Sequence, residues 1–294
     1  MRIFLTGSAS HLAGALLPAL CADARITAVT GVDIRTPDFT HAKFTRHTLD
    51  IRATEIESLL AGHDALIHLA FVVLRGKMPL ADMRDINVRG TQRVFELARA
   101  AGIAKRIHLS SASVYGHGEN CDETAPLAPL PGFAYAAHKA ELETWFAQHD
   151  PQAIRLRPHL ILGPHCQGLL NGLLAQPFCV RQPAQPLLQC IHEDDVVAAI
   201  LACLERDAHG PCNLATSDAY SFREALALRG QRPVALPFFI VRGALTLAWR
   251  LTGFGGEPAW AEGLRHPLTM NCARAARELG WRPRYTARKI LAAP

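Results

Sequence analysis

The chain has 294 residues, of which 49% are hydrophobic, and a formal net charge of +5 at pH 7. This length and apolar content predict a large buried core, in one large domain or in a domain with a smaller lobe. The modest charge and the scattered basic residues argue against a nucleic-acid-binding protein. The eight cysteines show no CxxC pair and no metal-ligand spacing, so we expect reduced thiols, no metal and a cytoplasmic location.

The first two thirds of the chain alternate short β-branched segments with segments of helical periodicity. The predicted strands are residues 2–6, 26–32, 43–46, 65–69, 106–110 and 153–157. The predicted helices are residues 12–22, 53–60, 81–101 and 134–149. This alternation predicts an α/β fold with a doubly wound parallel sheet that helices cover on both faces.

After residue 157 prolines become frequent and the regular alternation ends, which indicates loops and short elements. We predict helices over residues 194–205, 221–229, 238–251 and 272–279 and a strand near 212–214. Residues 1–165 are expected to form the first domain, and residues 166–294 mainly a smaller mixed α/β lobe. Helix 194–206 and a strand near 187–191 are expected to return to the first domain.

One apolar stretch, residues 236–254, has the composition of a membrane segment. Arg242 and Arg250 interrupt it and Pro237 opens it, so it is too short and too charged to span a bilayer. We therefore expect a helix of the smaller lobe and no stable membrane insertion.

A glycine-containing loop, residues 6–14, joins the first predicted strand to the first helix. Such a turn binds the pyrophosphate of a dinucleotide. Gly7 permits the tight turn, whereas small replacements, Ser10 and Ala13, occupy the places of the second and third glycines. Gly14 is one place late, and we expect it to contribute little. The loop residues expected to contact the cofactor are Gly7, Ser10, His11 and Leu12, although His11 also fits a solvent-facing position.

Acidic residues follow the next two predicted strands. Asp33 lies about 20–26 residues after the first glycine, where a carboxylate accepts hydrogen bonds from the adenine ribose and repels the 2′-phosphate of NADP. This predicts NAD rather than NADP, although Arg35 is a possible partner for that phosphate. Cofactor contacts are expected from Asp33, Ile34, Asp50 and Ile51, with the last two beside the adenine.

Tyr135 and Lys139 lie four residues apart in a predicted helix and therefore project from one face of it. A tyrosine with a pKa of roughly 10 is a poor base at neutral pH. A lysine ammonium and an oxidised nicotinamide ring lower that pKa and make the phenolate accessible. A serine at the end of the neighbouring strand, in residues 110–116, would hold the substrate oxygen.

Taken together, these segments resemble the extended short-chain dehydrogenase/reductases, also called the NAD-dependent epimerase/dehydratase family. Further matching segments along the chain are residues 67–70 (hHLAa), 87–91 (NvxGT), 110–116 (SSxxVYG), 157–164 (RxxxvyGP), 191–195 (vHvdD) and 278–283 (eLGwxP). The resemblance implies a Rossmann-type NAD-binding domain with a substrate lobe, and a homodimer formed through helices 81–101 and 134–149.

The resemblance also implies roles for individual residues. Tyr135 would be the acid/base, Lys139 would orient the nicotinamide ribose, and Ser111 would polarise the substrate oxygen. Asn87 would support this network. The further cofactor contacts expected are Leu69, Ala70 and Pro158, and the expected substrate contacts are Phe71, Val73, Ser113 and His159.

Departures from the family pattern restrict the reaction. Ala112 and Ser113 stand where dehydratases carry an Asp-Glu pair, so we expect no dehydration. Leu160 stands where sugar-nucleotide epimerases place an asparagine, and residues 186–190 lack their arginine. A buried diphosphate without such partners is costly. We therefore favour a dehydrogenase or ketone reductase of an apolar or modest substrate. A (nucleotide-)sugar epimerase and a non-catalytic NAD-sensing regulator remain as alternatives.

Overall fold

The computed structural model describes residues 1–74, 76–165, 174, 178–252 and 258–292. Its strands are β1 (Arg2–Thr6), β2 (Ala28–Asp33), β3 (Phe44–Thr48), β4 (Ala65–His68), β5 (Lys105–Leu109), β6 (Gly118–Cys121), β7 (Ile154–Pro158), β8 (Leu160–Leu162), β9 (Phe178–Val180), β10 (Leu187–Leu188), β11 (Cys190–His192), β12 (Gly210–Leu214), β13 (Tyr220–Ser221), β14 (Val234–Leu236) and β15 (Leu268–Met270).

The α-helices of the described residues are α1 (His11–Ala22), α2 (Ile56–Leu60), α3 (Leu80–Arg84), α4 (Thr91–Ala100), α5 (Ala134–His149), α6 (Glu193–Glu205), α7 (Phe222–Leu228), α8 (Phe238–Thr252) and α9 (Ala287–Ala292). The described residues also include two π-helical segments, Asp85–Gly90 and Ala275–Leu279, and two 3₁₀ segments, Ala112–Tyr115 and Pro258–Arg265.

Seven parallel strands form the largest sheet, in the order β12-β7-β5-β4-β1-β2-β3. Helices α1 and α6 pack on one face of this sheet, and α2, α4 and α5 pack on the other. The strand order reverses between β1 and β4, and ligands of open α/β sheets bind at such a point, beyond the carboxyl ends of the strands. The predicted doubly wound parallel sheet is confirmed.

The predicted strand near 187–191 forms two short strands, and its expected return to the first domain stays a prediction. The segment near 187–191 does not join the large sheet but contributes to two smaller ones, as β10 beside β13 and β15 and as β11 beside β8. The chain turns after β7 at His159, whose amide donates to the Leu214 carbonyl at 2.9 Å. Consequently β12 lies beside β7, and β11 pairs only with the β8 segment beyond that turn.

The predicted helix 81–101 is not continuous. It consists of α3, the π-helical segment Asp85–Gly90 and α4. Gly90 packs closely in this region, since a Cβ on it would lie 2.8 Å from Ile51 Cδ1. The wider π turn carries Asn87, and such turns are frequent at functional sites.

The apolar stretch near 236–254 forms α8, and residues 253 and 254 lie outside the described part. Much of α8 is exposed, including Phe239 and Leu247. None of the helices in the described ranges combines the length and apolar character that crossing a bilayer requires.

Candidate cofactor and active site

The loop after β1 reaches the carboxyl edge of the sheet with a backbone geometry that requires glycine. Gly7 has φ +74°, and a Cβ on it would lie 2.5 Å from the Ala70 amide nitrogen. The loop therefore packs directly against the chain that leaves β4. This contact places Ala70 beside the loop, and its predicted contact with the cofactor stays a prediction.

The replacements for the missing glycines have local functions. Ser10 is the N-cap of α1, and its hydroxyl accepts from the Ala13 amide at 3.4 Å. Ala13 is fully buried, and Leu12 is nearly so. Ser8, in the same loop, has a buried hydroxyl without a described hydrogen-bond partner. A helix N-terminus with an unsatisfied hydroxyl beside it suits a phosphate-bearing ligand.

Asp33 holds the end of β2 against this loop. One carboxylate oxygen accepts from the Ala9 amide and the other from the Arg35 amide, both at 2.9 Å. The Arg35 guanidinium donates to the Ala9 carbonyl at 2.8 Å. The structure therefore joins Asp33 and the phosphate loop in one arrangement, while Ile34 is exposed beside it.

Asp50, the other acidic residue expected to contact the cofactor, already accepts hydrogen bonds from a neighbouring arginine. Both carboxylate oxygens of Asp50 accept from Arg52, which also pairs with Asp85 at 2.7 Å. These bonds lower the pKa of Asp50 below its ordinary value. Ile51 is buried against Gly90. In the structure Asp50 binds Arg52 and Ile51 packs on Gly90, so their adenine contacts stay predictions.

Ser111, Tyr135 and Lys139 come together at the end of β5. Ser111 accepts from the backbone amide and the hydroxyl of Ser113, at 3.1 and 2.9 Å. The ammonium nitrogen of Lys139 lies 5.8 Å from the centre of the Tyr135 ring and donates to the Leu109 carbonyl. Two separate segments thus supply the hydroxyl, phenol and amine that the spacing predicted.

Burial opposes ionisation of this cluster. It raises the pKa of Tyr135 above its ordinary value, while the hydrogen bond from Ser111 lowers it in part. Burial also lowers the pKa of Lys139, and the Glu143 carboxylate counters this effect. The Phe71 ring lies 3.4 Å from the Lys139 nitrogen and favours the ammonium further through its π face. Tyr135 is therefore a phenol in the protein alone.

A buried ionic network lies behind Lys139. Glu143, one turn further along α5, accepts from Arg155 at 2.9 Å and from Arg157 at 2.9 and 2.8 Å. Arg157 also donates to the Tyr115 hydroxyl at 2.6 Å. The i, i+4, i+8 spacing of Tyr135, Lys139 and Glu143 was readable in the sequence, but the arginines that neutralise Glu143 come from β7.

Asn87 supports the segment that carries Phe71. Its side-chain oxygen accepts from the Val72 amide at 2.7 Å, and its side-chain nitrogen donates to the Val72 carbonyl at 2.9 Å. His138 lies 3.4 Å from the same nitrogen and is buried. The π-helical turn thus lets Asn87 hold the backbone next to Phe71, and its support of the catalytic residues stays a prediction.

The predicted substrate residues differ in exposure and in the hydrogen-bonding groups that they leave available. Phe71 is half-buried and packs edge-on against Tyr135, with ring centres 5.5 Å apart, and Val73 is exposed. Both nitrogens of His159 are used by backbone groups, the Leu268 carbonyl at 3.1 Å and the Leu160 amide at 2.8 Å. Burial lowers the pKa of His159 to about 4, so it presents a neutral ring. Pro158 precedes it as the buried end of β7.

Gly14 has a packing role that the sequence did not indicate, while its expected small contribution to the phosphate loop stays a prediction. A Cβ on Gly14 would lie 2.7 Å from the Cδ2 atom of His165, so the ring of His165 packs on the first turn of α1. His165 follows β8 and is distant in sequence. No local pattern could have indicated this contact.

Comparisons with known proteins agree with this architecture. Residues 3–215 match the NAD dependent epimerase/dehydratase family. A curated relative, the 4-hydroxy-2-methyl-3-oxo-4-farnesyl-3,4-dihydroquinoline-1-oxide ketoreductase of Stigmatella aurantiaca, is 28% identical, over 97% of this chain and 93% of that protein.

Two similar solved structures are less than 25% identical to this chain, so their similarity supports the fold alone. UDP-glucuronic acid 4-epimerase from Bacillus cereus, in complex with NAD, has a TM-score of 0.75 and 18% identity, covering 100% of this chain and 94% of that one. A dTDP-glucose 4,6-dehydratase from Streptomyces venezuelae, with NAD bound, has a TM-score of 0.74 and 21% identity, covering 99% and 95%. The family match covers most of the chain, and the chain therefore belongs to the NAD-dependent epimerase/dehydratase family, with NAD as its cofactor.

Proposed function

We propose that the protein is a dehydrogenase or ketone reductase of an apolar or modestly polar substrate. The observation that carries the proposal is the cluster of half-buried Ser111 and Tyr135 with the buried Lys139, whose ammonium nitrogen lies over the face of the Phe71 ring. A regulator that only senses NAD has no need of a hydroxyl, a phenol and an amine in this arrangement.

NAD or NADH, held at the phosphate loop and by Asp33, would supply the hydride-transfer chemistry. In the reductive direction, the Ser111 hydroxyl donates a hydrogen bond to the substrate carbonyl oxygen. The Tyr135 phenol donates its proton to that oxygen as the carbonyl carbon becomes a carbinol. Oxidation reverses these steps, with the Tyr135 phenolate taking the hydroxyl proton. Lys139 stabilises the phenolate by its charge.

Several residues support an apolar substrate. Leu160 is a half-buried residue of β8, and His159 offers a neutral ring next to it. The ketoreductase from Stigmatella aurantiaca is named for a substrate with a farnesyl chain. A nucleotide-sugar epimerase is the second candidate, because the fold of this chain is also that of UDP-glucuronic acid 4-epimerase.

Dehydration is not part of the proposal. Ala112 offers no acid or base, and the Ser113 hydroxyl donates to Ser111 instead. Neither residue supplies the proton transfers that elimination of water requires.

Cofactor exchange distinguishes the two candidates. A dehydrogenase releases its cofactor in each cycle, whereas an epimerase can retain it. We expect the purified protein to carry much less than one NAD per chain after denaturation, and to oxidise NADH when supplied with apolar ketones. Stoichiometric bound NAD together with interconversion of UDP-sugars would favour the epimerase instead. If no library substrate is turned over while NAD still binds, the regulator is favoured.

Asp33 is expected to determine the preference for NAD. Asp33→Asn keeps an acceptor for the Ala9 amide but removes the charge that repels the 2′-phosphate of NADP. We expect the preference for NAD over NADP to fall about tenfold, a change of about 1.4 kcal/mol. Fluorescence titration with both cofactors measures it, with the exposed Asp38→Asn as the control. An unchanged ratio, or tighter binding of NADP than NAD by the unaltered protein, would contradict the role of Asp33.

The proposal includes three further expectations, of which the homodimer rests on the resemblance and the other two rest on the sequence pattern. We expect a cytoplasmic protein and a homodimer formed through residues 81–101 and α5. We also expect residues 1–165 to form mainly the NAD-binding domain and residues 166–294 mainly the substrate lobe.

A further inference from the structure

We propose that α8 (Phe238–Thr252) is a membrane-docking helix that lies along the surface of an anionic lipid bilayer and does not cross it. The inference goes beyond the proposed reaction and does not depend on it, because it concerns a helix that supplies none of the expected catalytic or cofactor-binding residues.

One side of α8 is held by the protein. The helix packs on the 3₁₀ segment Pro258–Arg265. The guanidinium group of Arg265 lies 4.4 Å from the centre of the Phe238 ring, and Arg242 pairs with Glu262 at 3.7 Å. These contacts determine which side of α8 faces outward.

The outward side of α8 is apolar. Phe239, Leu247 and Leu251 are 74%, 59% and 69% exposed, and their spacing of eight and four residues places them on one side of the helix. Val241, on the inner side, is buried. A surface helix of a globular protein ordinarily presents polar residues opposite its buried stripe. A helix with apolar residues on both sides indicates that its outer side is covered when the protein functions.

The charges on this side identify what covers it. The helix contains no aspartate or glutamate, and both of its arginines are exposed. Cationic and apolar side chains share one open depression, which is lined by Phe239, Arg242, Gly243, Thr246, Leu247 and Arg250. An anionic bilayer surface matches this combination, since apolar side chains enter the boundary between headgroups and acyl chains while arginines bind lipid phosphates.

The same charges argue against a second copy of the chain as the cover. A two-fold interface brings the same patch of both copies together. Here α8 would contribute cations without carboxylates, and Glu262 beside it already pairs with Arg242 at 3.7 Å and with Arg265 at 3.1 Å. Like charges facing one another across an interface oppose association.

The length of α8 determines how it meets the bilayer. Its 15 residues extend about 22 Å at about 1.5 Å per residue. The hydrocarbon core of a bilayer is about 30 Å thick, so the helix lies in the plane of the surface.

Co-sedimentation of the full chain with lipid vesicles tests the proposal. We expect binding to vesicles of phosphatidylcholine mixed with phosphatidylglycerol, and about tenfold weaker binding to vesicles of phosphatidylcholine alone. Binding should also weaken in about 1 M NaCl, which screens charges beyond about 3 Å.

Two substitutions separate the apolar and the charged contributions. Leu247→Gln should weaken binding to the mixed vesicles about tenfold, and Arg250→Gln about fivefold. Leu187→Gln and Arg288→Gln are the matched controls, because they make the same changes at exposed positions outside α8 and should leave binding unchanged. Unchanged NAD affinity and melting temperature in all four variants would show that the fold is retained.

The absence of sedimentation with the mixed vesicles would overturn the proposal, and so would equal losses in the α8 variants and their controls. A dimer that Leu247→Gln converts to a monomer, without any vesicle binding, would assign this face to a second copy instead. Vesicle binding requires neither cofactor nor substrate, so failure to find turnover would affect only the proposed reaction.

Discussion

Tyr135→Phe is expected to lower turnover at least about a hundredfold, the usual effect of losing an acid/base group, while NAD affinity stays nearly unchanged. The substitution removes only the phenolic oxygen. The ring that packs against Phe71, with centres 5.5 Å apart, is retained, so the cluster should keep its shape. The loss therefore reports on proton transfer rather than on folding or cofactor binding.

Tyr115→Phe is the matched control. Tyr115 is buried, and its hydroxyl donates to the Asn213 side chain at 2.7 Å and accepts from Arg157 at 2.6 Å. Its loss should reduce stability by about 1 kcal/mol without a comparable fall in turnover. If Tyr135→Phe turns over a substrate at the rate of the unaltered protein, the acid/base role of Tyr135 is wrong.

The direction of the Tyr135 pKa also predicts a pH dependence. Burial raises this pKa, so the phenol that reduction needs is present at neutral pH. Oxidation needs the phenolate, and its rate should therefore increase with pH beyond neutrality. Initial rates in both directions across pH 6–10 measure this difference. An oxidation rate that is flat over that range would contradict it.

Glu143→Gln is expected to lower the free energy of unfolding by about 3–5 kcal/mol, because it leaves buried guanidinium groups without their carboxylate. In the folded protein Glu143 pairs with Arg155 at 2.9 Å and Arg157 at 2.8 Å, and all three side chains are buried. Urea denaturation measures the loss. Glu141→Gln, two residues away on α5, removes an exposed pair with Arg84 and should cost about 0–1 kcal/mol.

The stabilisation by Glu143 should depend on pH. Its pKa is lowered in the folded protein, mainly by Arg157 against the opposing effect of burial. A carboxyl group with a lowered pKa contributes stability above its unfolded pKa of about 4.3 and loses it as pH falls through the folded value. The difference between the unaltered protein and Glu143→Gln should thus narrow in acid. Equal stabilities at pH 7 would show that the ion pairs contribute nothing.

Glu143→Gln should also change the pKa of Lys139. The Glu143 carboxylate favours the charged form of Lys139 against burial, so Glu143→Gln should lower the Lys139 pKa further. We expect the alkaline limit of turnover to move to lower pH in this variant, whereas a purely structural change would leave that limit in place.

Regular elements were predictable where the signal lies within one segment. Strand 2–6 and helix 134–149 have the predicted bounds, because buried alternation and helical spacing are local patterns. The predicted helix 81–101 is interrupted by a π-helical turn that brings Asn87 to Val72. The sequence did not show this interruption, because the turn does not change the apolar periodicity. The pairing of the strand near 187–191 with β8 could not be predicted, because it depends on the chain turn at His159.

The sequence by itself determined the fold class. It also determined two residue pairs, Gly7 with Asp33 and Tyr135 with Lys139, because their spacing is fixed by the geometry of one strand–loop–helix unit or of one helix face. Only the tertiary structure decided that Asp50 is held by Arg52, that Glu143 is neutralised from β7, and that His165 packs on Gly14. These contacts join residues whose separation along the chain carries no periodic signal. Their free energies depend on burial and on distances that exist only once the sheet and its helices have packed.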